Sequence, residues 1–454
     1  LIAIKGKKIV VVGLGKSGEA LARFLATRGA VVTLTDRSPA ETVADAVKRL
    51  GGVPITFELG GHSVEAFTRA DLIILSPGVP HTIAPVRAAI AAGVPVIGEI
   101  EFAARFIRTP IVAVTGTNGK STVTQLVAGM LAMSGLSVFV GGNIGTPLIA
   151  YADSPMAADV VVAEISSFQL DTIVDFRPRV GVLLNITADH LDRYDYFAAY
   201  GASKGRLFEN MGPEDTAVLN AADPMIMAVT ETIDARKCLF DIDGPAPCGG
   251  WITPAGVTLR FPGTSEMHIP ESAIPLVGRH NRENVAAAGL AALAAGATAK
   301  GIVDAVSGFS PDRHRIEYVA TKGGVNYYDD SKGTNVDAVV RAIEAVPGPV
   351  VLIAGGRDKG GGYDALREPV RRSVKFLVVL GEAAGNIASG LGDLVETRHA
   401  GSMADAVRLA AGAAVSGDTV LLSPACSSFD MYESYAHRGD DFQNAVRSLA
   451  GAPS

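Results

Sequence analysis

Cysteine is scarce: Cys238, Cys248 and Cys426 are the three in 454 residues. The number is odd and the spacing fits no metal-ligand pattern. Neither a disulfide framework nor a structural zinc site is expected, and the three read as free thiols of a reducing compartment. Positive charge is also in deficit: 40 Lys and Arg stand against 47 Asp and Glu, a net charge of −7. That argues against a nonspecific nucleic-acid binder. It leaves small anionic substrates open, because these meet a local site rather than the whole field. Long apolar runs are missing too. The stretch from Ser121 to Ala152 carries no charge, but Ser134-Gly135, Gly141-Gly142-Asn143 and Pro147 interrupt it. No unbroken run approaches the ~20 residues a helical span requires. The stretch reads as buried helix, turn, strand and Gly-rich loop. A basic segment leading to a small-residue cleavage site is absent, so secretion is not suggested and a cytoplasmic location is expected. Repeats at solenoid periods and low-complexity segments are lacking as well.

What remains is an apolar, glycine-rich chain: 48% hydrophobic, 19% charged, with 51 glycines. The length predicts about three domains, and Val/Ile runs separated by glycine turns predict repeated strand–turn–helix units. The expected fold is α/β in three domains. These are an N-terminal Rossmann-like domain (1–98), a central P-loop ATP-binding domain (99–311) and a C-terminal Rossmann-like domain (312–454).

The organising stretch is Ile111-Val-Ala-Val-Thr115-Gly116-Thr117-Asn118-Gly119-Lys120-Ser121-Thr122. An apolar β-branched strand ends in a Gly-rich turn, and Lys-Ser-Thr opens a helix. Backbone N–H groups in such a loop cradle phosphates. Lys120 would reach the outer phosphates and the Ser121 hydroxyl would ligate Mg²⁺. Val114 stands where G-x-x-x-x-G-K-[ST] has its first glycine. Read plainly, the stretch could be a tight turn with a surface lysine, but strand, two glycines, Lys-Ser-Thr and helix together favour phosphate binding.

Other strand ends carry chemistry. Asp159-Val-Val-Val-Ala-Glu164 puts a carboxylate where a Mg²⁺-binding acid is expected downstream of a P-loop. Val180 to Asn185 leads into Asp189-His190-Leu-Asp-Arg193-Tyr194, which places His190 at a third strand end. Lys204 reads, from its neighbours alone, as a surface helix lysine. Asn281 and Asn284 share one face at a helix start, where capping explains one more readily than both. Near the N-terminus, Gly13, Gly15 and Gly18 follow a strand, and Asp36 ends the next one. That is the dinucleotide fingerprint, and a UDP-sugar would use the same parts. In the last domain polar loops follow four apolar runs: Asp330-Ser-Lys332-Gly-Thr334, Gly355-Gly-Arg-Asp-Lys359, Gly381, and Ser423-Pro-Ala-Cys-Ser-Ser428. The Arg438-Gly439 segment reads as a cap before the final helix.

These motifs, with Asp189-His-Leu-Asp-Arg-Tyr194 and Glu164 before Ser-Ser-Phe-Gln169, resemble the Mur ligase family over the whole chain. The phosphate loop is shared with folylpolyglutamate synthetases, and Asp330-Ser-Lys-Gly-Thr334 and Ser423-Pro-Ala-Cys-Ser-Ser-Phe-Asp430 are similar to the D-glutamate-adding branch. The resemblance implies an ATP-dependent ligase that adds D-glutamate to UDP-N-acetylmuramoyl-L-alanine through an acyl phosphate. This is a step in peptidoglycan precursor synthesis, with ATP and two Mg²⁺ ions as cofactors. It places ATP on Gly116 to Thr122, Asn281, Asn284, Arg315 and Asp330. Metal goes to Ser121, Glu164, His190 and Lys204, the last as a carbamate. Catalytic roles are implied for Lys120, Glu164, His190 and Lys204. D-glutamate is implied at Lys332, Thr334, Lys359, Ser428 and Tyr435, and the UDP-muramoyl substrate at Gly15, Ser17, Asp36, Ser76, Gly78, Asn143 and His190. A monomer is expected. Tyr435 stands where the family usually has Phe, and Gly333 where Ala is common. The competing readings are another Mur-type or folylpolyglutamate-type amide ligase, and an NAD-dependent oxidoreductase. The second leaves the phosphate loop and the last domain unused.

Overall fold

The computed structural model describes residues 4–154, 157–189, 193–194, 196–360 and 362–449. It is an α/β structure of three sheets. The first holds β1 (Lys8–Val12), β2 (Val31–Asp36), β3 (Ile55–Leu59), β4 (Leu72–Leu75) and β5 (Val96–Gly98), all parallel, in the order β3-β2-β1-β4-β5. The second holds β6 (Ile111–Thr115), β7 (Val138–Gly142), β8 (Val160–Glu164), β9 (Val180–Leu183), β10 (Thr216–Asn220), β11 (Arg236–Ile242), β12 (Gly249–Thr253), β13 (Gly256–Arg260) and β14 (Met267–Pro270). Its order is β14-β13-β12-β11-β10-β9-β6-β8-β7. The third holds β15 (Glu317–Lys322), β16 (Val325–Asp329), β17 (Val350–Gly355), β18 (Val374–Leu380), β19 (Thr397–His399) and β20 (Thr419–Leu422), in the order β15-β16-β20-β17-β18-β19. Only its β15–β16 pair is antiparallel among the pairings described.

The near-continuous apolar runs form these strands because helices cover both faces of a parallel sheet. In β17, Val350, Leu352 and Ala354 pack with Val339, Ile343, Leu366 and Ile387 on one face. Val351 and Ile353 pack with Val407, Ala410, Phe442 and Val446 on the other. Helix starts carry the expected caps. Ser166 and Gln169 make a reciprocal capping box, Asp223 caps a helix that opens with Pro224, and Asn335 caps Val336–Ala345.

The uncharged stretch after Ser121 is helix Lys120–Met133, a turn, and β7, as its pattern implies. β3 is a strand that the sequence reading did not include, although Ile-Thr-Phe-Glu-Leu has the apolar–polar alternation of a half-buried strand. The free-thiol expectation is corrected for two cysteines. Leu239 of β11 lies opposite Gly249 of β12. Cys238 and Cys248, one residue earlier on each side, are therefore neighbours, with Cα atoms 4.7 Å apart, and form a disulfide. Cys426 is free and buried. Among the described residues no helix is long and apolar enough to cross a membrane.

The chain divides into two compact units. One comprises Leu1–Asn185, Gly201–Ile269 and Val285–Val306. The other comprises Ile186–Tyr200, Pro270–Asn284 and Ser307–Ser454.

Candidate active site

In the first unit, β6 lies between β8 and β9, so the phosphate loop, Glu164 and Asn185 leave the same edge of one sheet. Such an edge, where connections diverge from neighbouring strands, is where α/β sheets bind ligands. Gly119, at φ +85°, turns the chain into helix Lys120–Met133 in a conformation that side-chain-bearing residues avoid. Asn185 braces the loop. Its carbonyl accepts the Thr117 N–H at 2.9 Å. Its side chain accepts the Asn118 N–H at 2.8 Å and donates to the Asn118 carbonyl at 3.1 Å. The Lys120 ammonium folds back onto the carbonyls of Gly116 (2.9 Å) and Thr117 (2.8 Å). Ser121 Oγ donates to Glu164 Oε2 at 2.7 Å, and Asn143 Nδ2 donates to Glu164 Oε1 at 2.9 Å. Thr122 is buried at the helix start. Lys204 is 1% exposed, and its ammonium reaches the Gly116 carbonyl at 2.8 Å.

The N-terminal sheet has its switch point between β1 and β4. Gly18 permits close helix–strand approach, since a Cβ there would lie 1.9 Å from the Gly13 carbonyl. Ser76 Oγ donates to that carbonyl at 3.0 Å, which ties the two loops together. Asp36 is used by the loop itself: its carboxylate accepts the Leu14 and Ser38 N–H groups, each at 2.7 Å. Burial raises the Asp36 pKa, but these donors carry it below the ordinary value. Gly15 is exposed at the N-cap of helix Lys16–Thr27, Ser17 beside it is half-buried, and Gly78, just past Ser76, is exposed.

In the second unit, β16, β20 and β17 are neighbours, so their three polar loops adjoin. Asp330 is buried; Ser423 Oγ donates to it at 2.7 Å and the Ile316 N–H at 3.3 Å. Burial pushes its carboxyl up to about 7, against the Ser423 hydroxyl and the Arg315 charge. Asn281 and Asn284 are buried on helix Arg279–Ala294. Asn284 Nδ2 donates to Asn281 Oδ1 at 3.1 Å, and Asn281 Nδ2 donates to the Val277 carbonyl at 2.7 Å. Both roles are side-chain pairing, not capping. Lys332 pairs with Asp312 at 2.7 Å and lies 5.7 Å from the Tyr435 ring. Lys359 pairs with Asp189 at 3.3 Å, and Asn335 Nδ2 donates to Asp189 at 3.2 Å. Thr334 is half-buried, Ser428 is buried, and Tyr435 is 37% exposed.

Three family models match the chain: a Mur ligase MurD-like N-terminal domain over residues 7–98, a Mur ligase middle domain over 114–292, and a Mur ligase glutamate ligase domain over 314–426. The chain belongs to the Mur ligase family. It is 52% identical, over 99% of its length and 98% of the relative's, to a UDP-N-acetylmuramoylalanine–D-glutamate ligase of Desulfosudis oleivorans. It is 48% identical to the ligase of that name from Desulfatibacillum aliphaticivorans, over 98% of this chain and 99% of the relative. Among solved structures it resembles MurF from Acinetobacter baumannii, with a TM-score of 0.61 at 15% identity, covering 97% of this chain and 91% of that one. It likewise resembles a pseudomurein peptide ligase type C from Methanothermus fervidus, with a TM-score of 0.60 at 18% identity, covering 98% of this chain and 100% of that one. The solved structures carry the fold alone.

Measured against the Mur ligase pattern, the surface reading of Lys204 is corrected: packing of its helix against the phosphate loop buries the side chain. Hard oxygen donors at Ser121 and Glu164, already 2.7 Å apart, suit Mg²⁺. His190 lies outside the described residues. The Arg438 segment is not a cap, because Ser434 caps helix Tyr435–Ser448 and Arg438 lies inside it, 2% exposed. Asn185, Asp189 and Asp312 are partners that the sequence reading passed over. Asn185 carried one signal, a polar residue closing an apolar strand. His314, Glu317 and Asp329 cluster closely enough for a cation. However, Gln443 Nε2 already donates to Glu317 and Asp329 at 3.1 and 2.9 Å, so the cluster holds a buried amide.

Proposed function

We infer that this chain is an ATP-dependent ligase joining D-glutamate to UDP-N-acetylmuramoyl-L-alanine in peptidoglycan precursor synthesis. The observation that carries it is 52% identity over 99% of the chain to a ligase of that name. A carboxylate of the muramoyl substrate attacks the ATP γ-phosphate and expels ADP, giving the acyl phosphate, and the amine of D-glutamate then displaces phosphate from it to form an amide, losing a proton. The first step is phosphoryl transfer, so positioning and charge neutralisation dominate. The phosphate-loop N–H groups would take the phosphates, with Lys120 swinging from its loop carbonyls onto the outer ones. Ser121, Glu164 and Lys204, the last as a carbamate, would hold Mg²⁺ with His190. Bound there, the two ions supply charge neutralisation at the phosphates and the attacking carboxylate. His190 is the candidate to assist proton loss from the amine.

The division of labour we propose is UDP-muramoyl binding by 1–98, ATP binding by 99–311 and amino-acid binding by 312–454. Gly15, Ser17, Asp36, Ser76, Gly78 and Asn143 would serve the first substrate. Asn281, Asn284, Arg315 and Asp330 would hold the nucleotide. Lys332, Thr334, Lys359, Ser428 and Tyr435 would receive D-glutamate. Both lysines are held by carboxylates of the chain, so a dicarboxylate would exchange with or join Asp189 and Asp312 rather than meet bare charges. An uncharged amino acid offers no such exchange, which favours a dicarboxylate. Asp36, engaged with its own loop, would act on the UDP substrate chiefly by shaping that loop. A cytoplasmic monomer fits this role. The test is phosphate release across a panel of amino acids. Release that requires ATP, UDP-N-acetylmuramoyl-L-alanine and D-glutamate together supports the reading. Equal rates with L-alanine would overturn the choice of D-glutamate.

A further inference from the structure

Arg438 is a buried cation that holds no carboxylate by a described hydrogen bond. It lies one turn after Tyr435 on helix Tyr435–Ser448 and is 2% exposed. Its guanidinium faces main-chain carbonyls. One nitrogen donates to Ser331 O at 2.9 Å and Cys426 O at 3.1 Å; the other lies 3.4 Å from both Gly355 O and Ser427 O. Those carbonyls lie at the C-terminal ends of three strands: Ser331 just after β16, Gly355 at the last residue of β17, and Cys426 and Ser427 in the loop after β20, and a loop leaves each of them. Each loop carries residues assigned above to the amino acid: Lys332 directly follows Ser331, Ser428 directly follows Ser427, and Lys359 lies four residues past Gly355.

The loops are also fitted to this side chain. A Cβ on Gly356, whose φ is +135°, would come 3.0 Å from the guanidinium and 2.2 Å from Ser427 O. A Cβ on Gly439 would strike His314, Ser331 and Asp329 within 2.7 Å, so this glycine lets the helix lie directly on the loops. The loops also bond one another directly in pairs: the reciprocal Arg357–Ser427 main-chain pair at 2.9 and 3.1 Å, Gly355 N to Pro424 O at 2.9 Å and Ala425 N to Gly333 O at 3.0 Å, with Ser423 Oγ donating to Asp330 at 2.7 Å.

We propose that Arg438 is a positioning residue for the amino-acid site, a guanidinium pin that sets the register of the three loops carrying Lys332, Lys359 and Ser428. A planar fork can serve several carbonyls at fixed angles, which a lysine ammonium on a flexible stem cannot. A buried arginine is a costly way to gain stability alone, because apolar packing of the same volume serves as well or better. Here the four acceptors lie in three segments, and the one side chain bonds to all three at once where their own bonds join them two at a time.

The proposal rests on the assignment of the amino-acid site, so three variants are compared: Arg438→Met, Arg438→Lys and Lys359→Ala. KM is measured for D-glutamate, ATP and the UDP substrate, beside the melting temperature. Arg438→Met should raise the D-glutamate KM about tenfold or more, as loop displacement at a site does. KM for ATP and for the UDP substrate should stay within about twofold. Arg438→Lys should fall between Met and wild type, and millimolar guanidinium should lower the D-glutamate KM of Arg438→Met. A folded Arg438→Met with an unchanged D-glutamate KM overturns the proposal. So does an equal rise in all three constants, or failure of both Arg438 variants to fold, because each marks a merely structural residue. If Lys359→Ala leaves the D-glutamate KM unchanged, the site assignment fails. If Lys359→Ala raises it and the Arg438 variants do not, the pin alone fails.

Discussion

Glu99 should make this protein lose stability as pH rises toward neutrality, and Glu99→Gln should remove that loss. Glu99 opens helix Glu99–Ala104 and is 1% exposed. Its Oε1 accepts the Ile149 N–H at 2.8 Å, while Oε2 is buried without a hydrogen-bond partner among the described residues. Burial pushes the carboxyl from 4.5 up to about 7, against the N–H groups of Ile149 and Leu148. The folded state therefore binds this proton more tightly than the unfolded chain. Stability contributed here is greatest below pH 4.5, falls between about 4.5 and 7, and is level above. A raise of this size is worth about 3 kcal/mol in full, most of which is lost between pH 5 and 8. The glutamine amide keeps an oxygen for Ile149 and carries no charge at any pH. The assay is urea unfolding of wild type and Glu99→Gln at pH 5, 6, 7 and 8. Every other titrating group, Asp330 included, is common to both proteins and cancels in the difference. The variant should gain roughly 2 to 3 kcal/mol on wild type from pH 5 to pH 8. Parallel curves would refute the argument, since they would mean that Glu99 ionises in the fold without penalty.

Lys120→Ala should lower kcat by at least about a hundredfold with an unchanged melting temperature, because the side chain lies on loop carbonyls and not in the core. Wild-type turnover would remove the phosphate-loop reading. Lys204→Ala should be nearly inactive and partly rescued by formate, which would replace the missing carbamate oxygen. Full activity without formate would refute a carbamate there. Glu164→Gln should raise the Mg²⁺ concentration for half-maximal rate by more than about tenfold, read directly in a metal titration. Asn281→Ala should raise the KM for ATP far more than that for D-glutamate, and Lys359→Ala the reverse. Matching shifts in both would dissolve the division between nucleotide and amino-acid residues.

Most strands were legible because runs such as Ile111-Val-Ala-Val and Val350-Val-Leu-Ile have few alternatives to a buried parallel strand. β3 was passed over although Ile-Thr-Phe-Glu-Leu alternates strictly between apolar and polar residues, the pattern of a half-buried strand, because it is short and lacks the continuous apolar run of its neighbours. The disulfide was hidden because the spacing of Cys238 and Cys248 says nothing until β11 and β12 set their register. Site residues divided in the same way. Lys120, Glu164 and Asp330 could be singled out because each lies at a strand end: Glu164 closes an apolar run, Lys120 closes the glycine loop after one, and Asp330 follows the last residue of β16. Lys204 and Arg438 sit inside helices, where a charged residue ordinarily marks the solvent side.

The partners explain the rest. Lys359 meets Asp189, 170 residues away in the chain, and the four carbonyls of Arg438 belong to loops that only the strand order β16-β20-β17 makes adjacent. A carbonyl leaves no mark in a sequence, since every residue has one. A side chain that acts on carbonyls is therefore readable only through its burial with no carboxylate hydrogen-bonded to it among the described residues. That condition is met at Arg438 by burial on a sheet edge, and burial of a helix face is set by tertiary packing. It is why the residue with the widest reach across the amino-acid loops was the one that its own segment, Arg-Gly-Asp-Asp, described as a helix cap.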